Sequence, residues 1–467
     1  MTRRLAFGLL LLLLLVSIAG SQDTAVSWPI APSVSYTQER LAEGPWEVRV
    51  VRVARGQPLV RLDMALGQGQ LRGVEPLSRL VARETTESDY VIAGFNGDFF
   101  VMAGNPNAGL CSGLCIRGNE LIMTARGNPA FAVMADGTPQ IGVFDTTGTV
   151  RTPTGELPIG GLNQPPVEGG ITVYTAIHGW PQTEGGVVVA ATGLPLTPSG
   201  TWEGHVTGVV PNGTERTVGA GEVFLRGAGV NELKVGDAVT LELRTPGLPG
   251  PVAMAVGGNR VLMRDGQVLT SPADEDPRHP RTLVGYNGKE IILVTVDGRQ
   301  PGWSVGMRYH ELALLMQRLG CTDALNLDGG GSTTAWVRGE VRNRPSGGIE
   351  RWIANAVLVR CSAPRGPLAR WIIRPERLDG PSPLREPLTI IATDRWYNPV
   401  PLDLSGLQVR AERRSGWGLV TARIADGVLR VSGGPGEAVL HLSLPGGREI
   451  GAIPVRLRPA PGGPRHE

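Results

Sequence analysis

Between residues 46 and 64 apolar and polar positions alternate: Val48, Val50, Val51 and Val53, then Val60 and Leu62, in the manner of paired strands. A short helix is predicted next, with Pro76 at its first position and Leu77, Leu80 and Val81 as its apolar stripe. Tyr90 to Phe95 is an apolar strand that runs into Asn96-Gly97-Asp98, two polar residues set apart by one glycine. From about 149 to 251 the chain is rich in Gly, Pro, Thr and Val, with short β-like runs between turn dipeptides, and reads as a β-rich insertion. The pattern then becomes strand, strand, helix, strand: Ile291–Val296 is a buried strand, Leu312, Leu315, Met316 and Leu319 mark a helical face that ends at Gly320, and Ala324–Leu327 is a second buried strand. Past a Pro/Gly/Arg linker at 363–367, only β-like segments follow. The expected fold is an α+β domain over 22–362, a mixed sheet with helices and the β-rich insertion, followed by an immunoglobulin-like β-sandwich over 368–460.

Composition narrows the function. The chain has 467 residues, 41% of them hydrophobic, which suits two or three domains with buried cores. A positive start (Arg3, Arg4), an apolar stretch from Leu5 to Ile18 and the small residues Ala19, Gly20 and Ser21 predict a secretory signal over 1–21. The apolar stretch is shorter than a spanning helix needs, so no membrane span is expected in the mature chain. Removing Arg3 and Arg4 takes the net charge of +2 to zero, leaving no basic field for nucleic acid. The location implied is secreted, cell-envelope or periplasmic. Cys111, Cys115, Cys321 and Cys361 permit disulfides in an exported protein, with three connectivities open.

The chemistry concentrates in Asn326-Leu327-Asp328-Gly329-Gly330-Gly331-Ser332-Thr333. Three glycines let backbone N–H groups approach an anion, and Asn326 and Asp328, two apart on a strand, share a face. Arg281-Thr282, Val296-Asp297-Gly298-Arg299 and Asn343-Arg344 flank this run. Arg281, Arg299 and Arg344 offer planar forks for phosphate oxygens. Asp98, Asp297 and Asp328 are the candidate catalytic carboxylates, their roles as acid, base or nucleophile left open. The candidate binding groups are Arg281, Arg299, Asn96, Asn326, the glycines 329–331, Ser332, Thr333, Asn343 and Arg344. Each has a plainer reading: Asp297-Gly298 as a turn, Asn96 as a turn cap, Glu311 as a first-turn helix carboxylate.

In this order, Asn96-Gly97-Asp98-Phe99, Arg281-Thr282, Val296-Asp297-Gly298-Arg299, Glu311-Leu312-Ala313 and Asn326 to Thr333 resemble the motifs of the phosphodiester glycosidase family. The resemblance runs from about Tyr90 to Val359 and leaves out the C-terminal sandwich. It implies hydrolysis of the C1–O bond of a sugar-1-phosphodiester, of the N-acetylglucosamine type, releasing the sugar and a phosphate monoester. The expected partner is a carbohydrate phosphodiester in a cell-envelope or extracellular polymer. No cofactor is implied, with a divalent cation such as calcium left open. Two rivals stand beside this reading: a non-catalytic module that binds glycan phosphates, and a metal-dependent phosphodiesterase built on the same three aspartates.

Overall fold

A computed structural model describes residues 23–125 and 127–459. The predicted signal at 1–21 lies outside the described residues. Three sheets enclose the main core. The first has eight strands, in the order Thr24–Ala31, Val34–Leu41, Trp46–Ala54, Glu290–Val296, Arg281–Tyr286, Asp323–Asn326, Arg260–Arg264 and Gln267–Val268. The second has five: Glu340–Val341, Ala335–Val337, Tyr90–Asn96, Asn355–Cys361 and Val60–Leu66. The third also has five, with Ala130–Met134, Val252–Gly257 and Cys115–Arg117 at its centre. Val51, Val53, Ile291 and Leu293 of the first meet Met64, Ile92, Phe95 and Val357 of the second and Phe131, Met254 and Val256 of the third.

The expected α+β class is corrected by this architecture. Among the described residues there are 36 strands and two α-helices, Leu77–Glu84 and Tyr309–Arg318, of 8 and 10 residues. Sheet packs on sheet, and each helix covers one patch on an outer face. Leu77, Leu80 and Val81 sit on Val91 and Leu358, while Leu312, Leu315 and Met316 sit on Val48, Val50, Ile292 and Val294. The strands beneath are buried on both faces and read as continuous apolar runs, which sequence periodicity does not separate from layers flanked by many helices. The protein is thus a mostly β fold with a barrel.

That barrel is closed by seven strands: Thr147–Thr152, Gly155–Leu162, Ile171–Thr175, Glu222–Gly227, Gly186–Ala191, Gly200–Val210 and Ala238–Arg244, the last pairing back onto the first. Closure leaves no open edge. Its interior residues Val187, Leu225 and Leu241 share a core with Ile116, Ala132 and Ala255 of the third sheet. A crossing segment from the barrel, Ala176–His178, reaches the main body, where Leu71 N–H donates to Ile177 O at 3.1 Å.

After residue 368 a four-stranded and a three-stranded sheet face each other across Leu440, Leu442, Ile453 and Val455 on one side and Val420, Leu429 and Val431 on the other. The entry to this region is docked onto the main body. Ile372 belongs to the main core, and the Tyr90 hydroxyl bonds both Asn398 Oδ1 (2.5 Å) and Ala363 O (2.9 Å).

Candidate active site

The ends of Tyr90–Asn96 and Asp323–Asn326, strands of two different sheets, come together through Asn96. Its Nδ2 donates to Asp328 O at 2.7 Å, and its Oδ1 accepts from Thr282 Oγ1 at 2.6 Å and from Thr334 N–H at 3.1 Å. Every polar atom of this amide is engaged, so Asn96 stitches two sheets. Asp328 N–H donates to Gly97 O at 2.9 Å, which brings Asp328 alongside the residue that precedes Asp98. Gly97 permits the approach: a Cβ there would stand 2.2 Å from Asn355 Oδ1, the atom that accepts Asp98 N–H.

Asp98 is 2% exposed. Its Oδ2 accepts Gly113 N–H at 2.7 Å and Ser112 N–H at 3.1 Å, while Oδ1 has no partner. Burial pushes its pKa up to about 7; the N–H groups oppose this and the charge of Asp328 adds to it. Asp328 is half-buried and its pKa rises to about 6, also through burial. The Ser332 hydroxyl, the Gly329 N–H (2.8 Å) and Arg351 restrain that rise, the hydroxyl lying beside the carboxylate without reaching hydrogen-bond geometry. Two neighbouring carboxyls with elevated pKa are an acid–base arrangement.

Asp297 has a different setting. Trp303 Nε1 (3.1 Å) and Arg344 N–H (3.0 Å) donate to Oδ2, and Asn343 Nδ2 (3.1 Å) donates to Oδ1. Burial raises its pKa while these donors hold it down. Asn343 also bonds Thr333 O and Ala335 N–H, so it and Asp297 fasten the chain on both sides of the glycine turn. Arg344 is exposed, its guanidinium 5.8 Å from the Trp303 ring. Asn326 bonds Asn259 and Leu327 O through Nδ2 and keeps its buried Oδ1 unpaired.

The glycine turn is packed rather than open. Gly330 has φ +60°, and Gly329 is required for space, since a Cβ there would stand 2.7 Å from the backbone Pro280 O, while at Gly331 a Cβ would meet the mobile end of Arg351, 2.3 Å from Nη2. The N–H groups of Gly329, Gly330, Ser332 and Thr333 are already bonded, to Asp328, Pro280 and the turn itself. Ser332 and Thr333 are buried, their hydroxyls without partners. Positive charge comes instead from two guanidinium groups over the turn, Arg299 beside Gly330 and Arg351 beside Gly331. Arg281 is spent elsewhere: it bonds Met307 O, Pro277 O and Asp276 and stacks 4.3 Å from the Tyr309 ring centre.

Arg299, Gly331 and Arg351 form one side of a cavity of about 770 Å³, whose other walls include Arg72, Phe100, Met102, Trp180 and Trp352. Neither Arg351 nor Trp180 stands out in the sequence. The trace of Arg351 is Gly331, a glycine with ordinary φ whose missing Cβ makes room for it. Among the described residues, the group able to hold a cation is Asp98 with Cys111 and Cys115, and Asp297 and Asp328 are not in it. All four cysteines are free and buried. The Cys111 thiol is pushed up by Cys115 and by burial, and that of Cys321 to about 12 by burial.

Residues 183–360, which contain Asp328, Arg299 and Arg351, match the model of the phosphodiester glycosidase family. Asp98 and Trp180 lie ahead of the matched range. Over 92 residues the chain is 35% identical to the SPbeta prophage-derived uncharacterized protein YomE of Bacillus subtilis, a stretch that is 20% of this chain and 14% of that protein. A hypothetical protein from Synechocystis superposes with a TM-score of 0.57 at 21% identity, over 71% of this chain and 62% of that one. A Burkholderia pseudomallei protein titled "Putative exported protein" superposes with a TM-score of 0.50 at 23% identity, over 69% and 76%. These last two likenesses are of fold. No helix among the described residues is long and apolar enough to cross a membrane.

Proposed function

We propose that this chain is an exported hydrolase that cuts the C1–O bond of a sugar-1-phosphodiester of the N-acetylglucosamine type. The observation that carries the reading is the Asp98–Asp328 pair, with Arg351 acting on Asp328 and itself lining the cavity together with Arg299. Asp328, the more exposed and more acidic of the two, meets the oxocarbenium-like anomeric centre as nucleophile or base. Asp98 keeps its proton near neutrality and so spares the site a second negative charge. The two arginines receive the phosphate, and because the leaving group is a phosphate monoester, their charge replaces much of the protonation an alcohol would need. The pattern of residues 1–21 supports export, and the two facing sheets after 368 support an immunoglobulin-like module.

Hydrolysis of a synthetic N-acetylglucosamine-1-phosphodiester in oxygen-18 water tests the assignment. Label in the sugar is expected. Label in the phosphate would mean P–O cleavage, and no turnover would leave a binding module.

A further inference from the structure

The cavity extends well beyond the two arginines, and its far part is apolar. Trp180, Met102, Ile349 and Trp352, between 47% and 79% exposed, gather around one opening, with Phe100 and Val101 behind them. Large apolar side chains left open to water as a group mark a binding surface. Other than arginine, the lining side chains able to hydrogen-bond a hydroxyl-rich ligand are Ser346, Glu350 and the Trp indoles, and Glu350 already accepts Ser78 N–H at 2.9 Å. A second sugar in this space would find few side-chain partners there, whereas a hydrocarbon chain would cover the exposed indoles, Met102 and Ile349 and remove them from water. Arg72 lies 4.0 Å from the Trp180 ring centre, which fixes that indole as a wall at the cavity mouth.

Resting on the glycosidase reading above, we infer that the alcohol half of the diester is an apolar chain, alkyl or isoprenoid, lying between Trp180 and Trp352 while its phosphate sits on Arg351 and Arg299. The ligand class is therefore an anionic head on a hydrocarbon tail: charge faces the arginines and methylenes face the open apolar rim. Selectivity for the tail resides in Trp180, from a connection between barrel strands, and in Met102 and Trp352 of the main body, apart from the aspartates.

Three 1-phosphodiesters of N-acetylglucosamine, differing only in a methyl, octyl or hexosyl alcohol, provide the test. The octyl diester is expected to exceed the methyl diester by at least about 30-fold in kcat/KM, since each buried methylene is worth roughly 0.8 kcal/mol. Trp180→Ala and, separately, the loop variant Met102→Ser should each lower the octyl-to-methyl ratio several-fold. Cleavage of all three diesters at similar rates, or preference for the hexosyl one, would overturn the inference and leave the glycosidase reading standing. If none is cleaved, the activity itself falls, and the inference with it.

Discussion

Val296-Asp297-Gly298 and Leu327-Asp328-Gly329 are nearly the same string, each an apolar strand that turns at Asp-Gly, yet the fold uses the two carboxylates in opposite ways. Asp297 is 1% exposed and held by an indole, an amide and a backbone N–H. Asp328 accepts one backbone N–H at hydrogen-bond distance, has the Arg351 charge nearby and is half-buried. Burial raises both carboxyls, so the donors separate them: three groups saturate Asp297, as suits a carboxylate that holds structure, while Asp328 keeps lone pairs free to act.

The largest effect should follow from Asp328→Asn, which removes the reacting charge and keeps the shape: turnover of a sugar-1-phosphodiester is expected to fall by about 10³-fold or more, with melting behaviour unchanged. Normal turnover would break the contrast and shift the chemistry to Asp297. For Asp297→Ala the damage should be to stability, about 3 kcal/mol in denaturant unfolding, because Trp303, Asn343 and Arg344 are left with buried donors. The residual folded enzyme should keep its turnover within roughly ten-fold.

Asp98 sharpens the contrast through pH. Its folded pKa, about 7, lies above the ordinary 3.8, so the proton favours the folded state. The associated stability is complete below pH 4 and is lost as pH rises through 7. Asp98→Asn should therefore gain stability relative to the parent between pH 5 and 8, by up to roughly 2 kcal/mol, and the gain should vanish at pH 4. A constant difference across that range would remove Asp98 from the argument. The parent's kcat/KM should be bell-shaped, rising as Asp328 ionises near 6 and falling as Asp98 ionises near 7. The smallest change is expected from Ser332→Ala. Losing a group that restrains the Asp328 pKa moves the acid limb upward, with less than about three-fold loss at pH 7.

The two helices, the strand of residues 90–96 and the strand feeding the glycine turn are legible because their signals are local: a 3.6-residue stripe, an unbroken apolar run, a terminating Gly320 at φ +89°. Barrel closure is not, since seven short β-runs carry no mark of which edge meets which. The weight given to the helices failed for a similar reason: periodicity predicts a helix but not how much sheet it leaves uncovered. In the site, Asp98 and Asp328 announce themselves as polar residues ending apolar strands. Arg281 looks equally prominent, yet its partners Met307, Pro277 and Asp276 become visible only after folding. Arg351 reaches the turn through contacts no spacing encodes.

Trp180, in the cavity wall, comes from the connection between two strands of a closed barrel, while the aspartates and arginines sit on loops at the strand ends of the sheets beside it. A substitution at Trp180, exposed two residues past the crossing segment, would change what the mouth accepts without disturbing a ladder or a carboxylate.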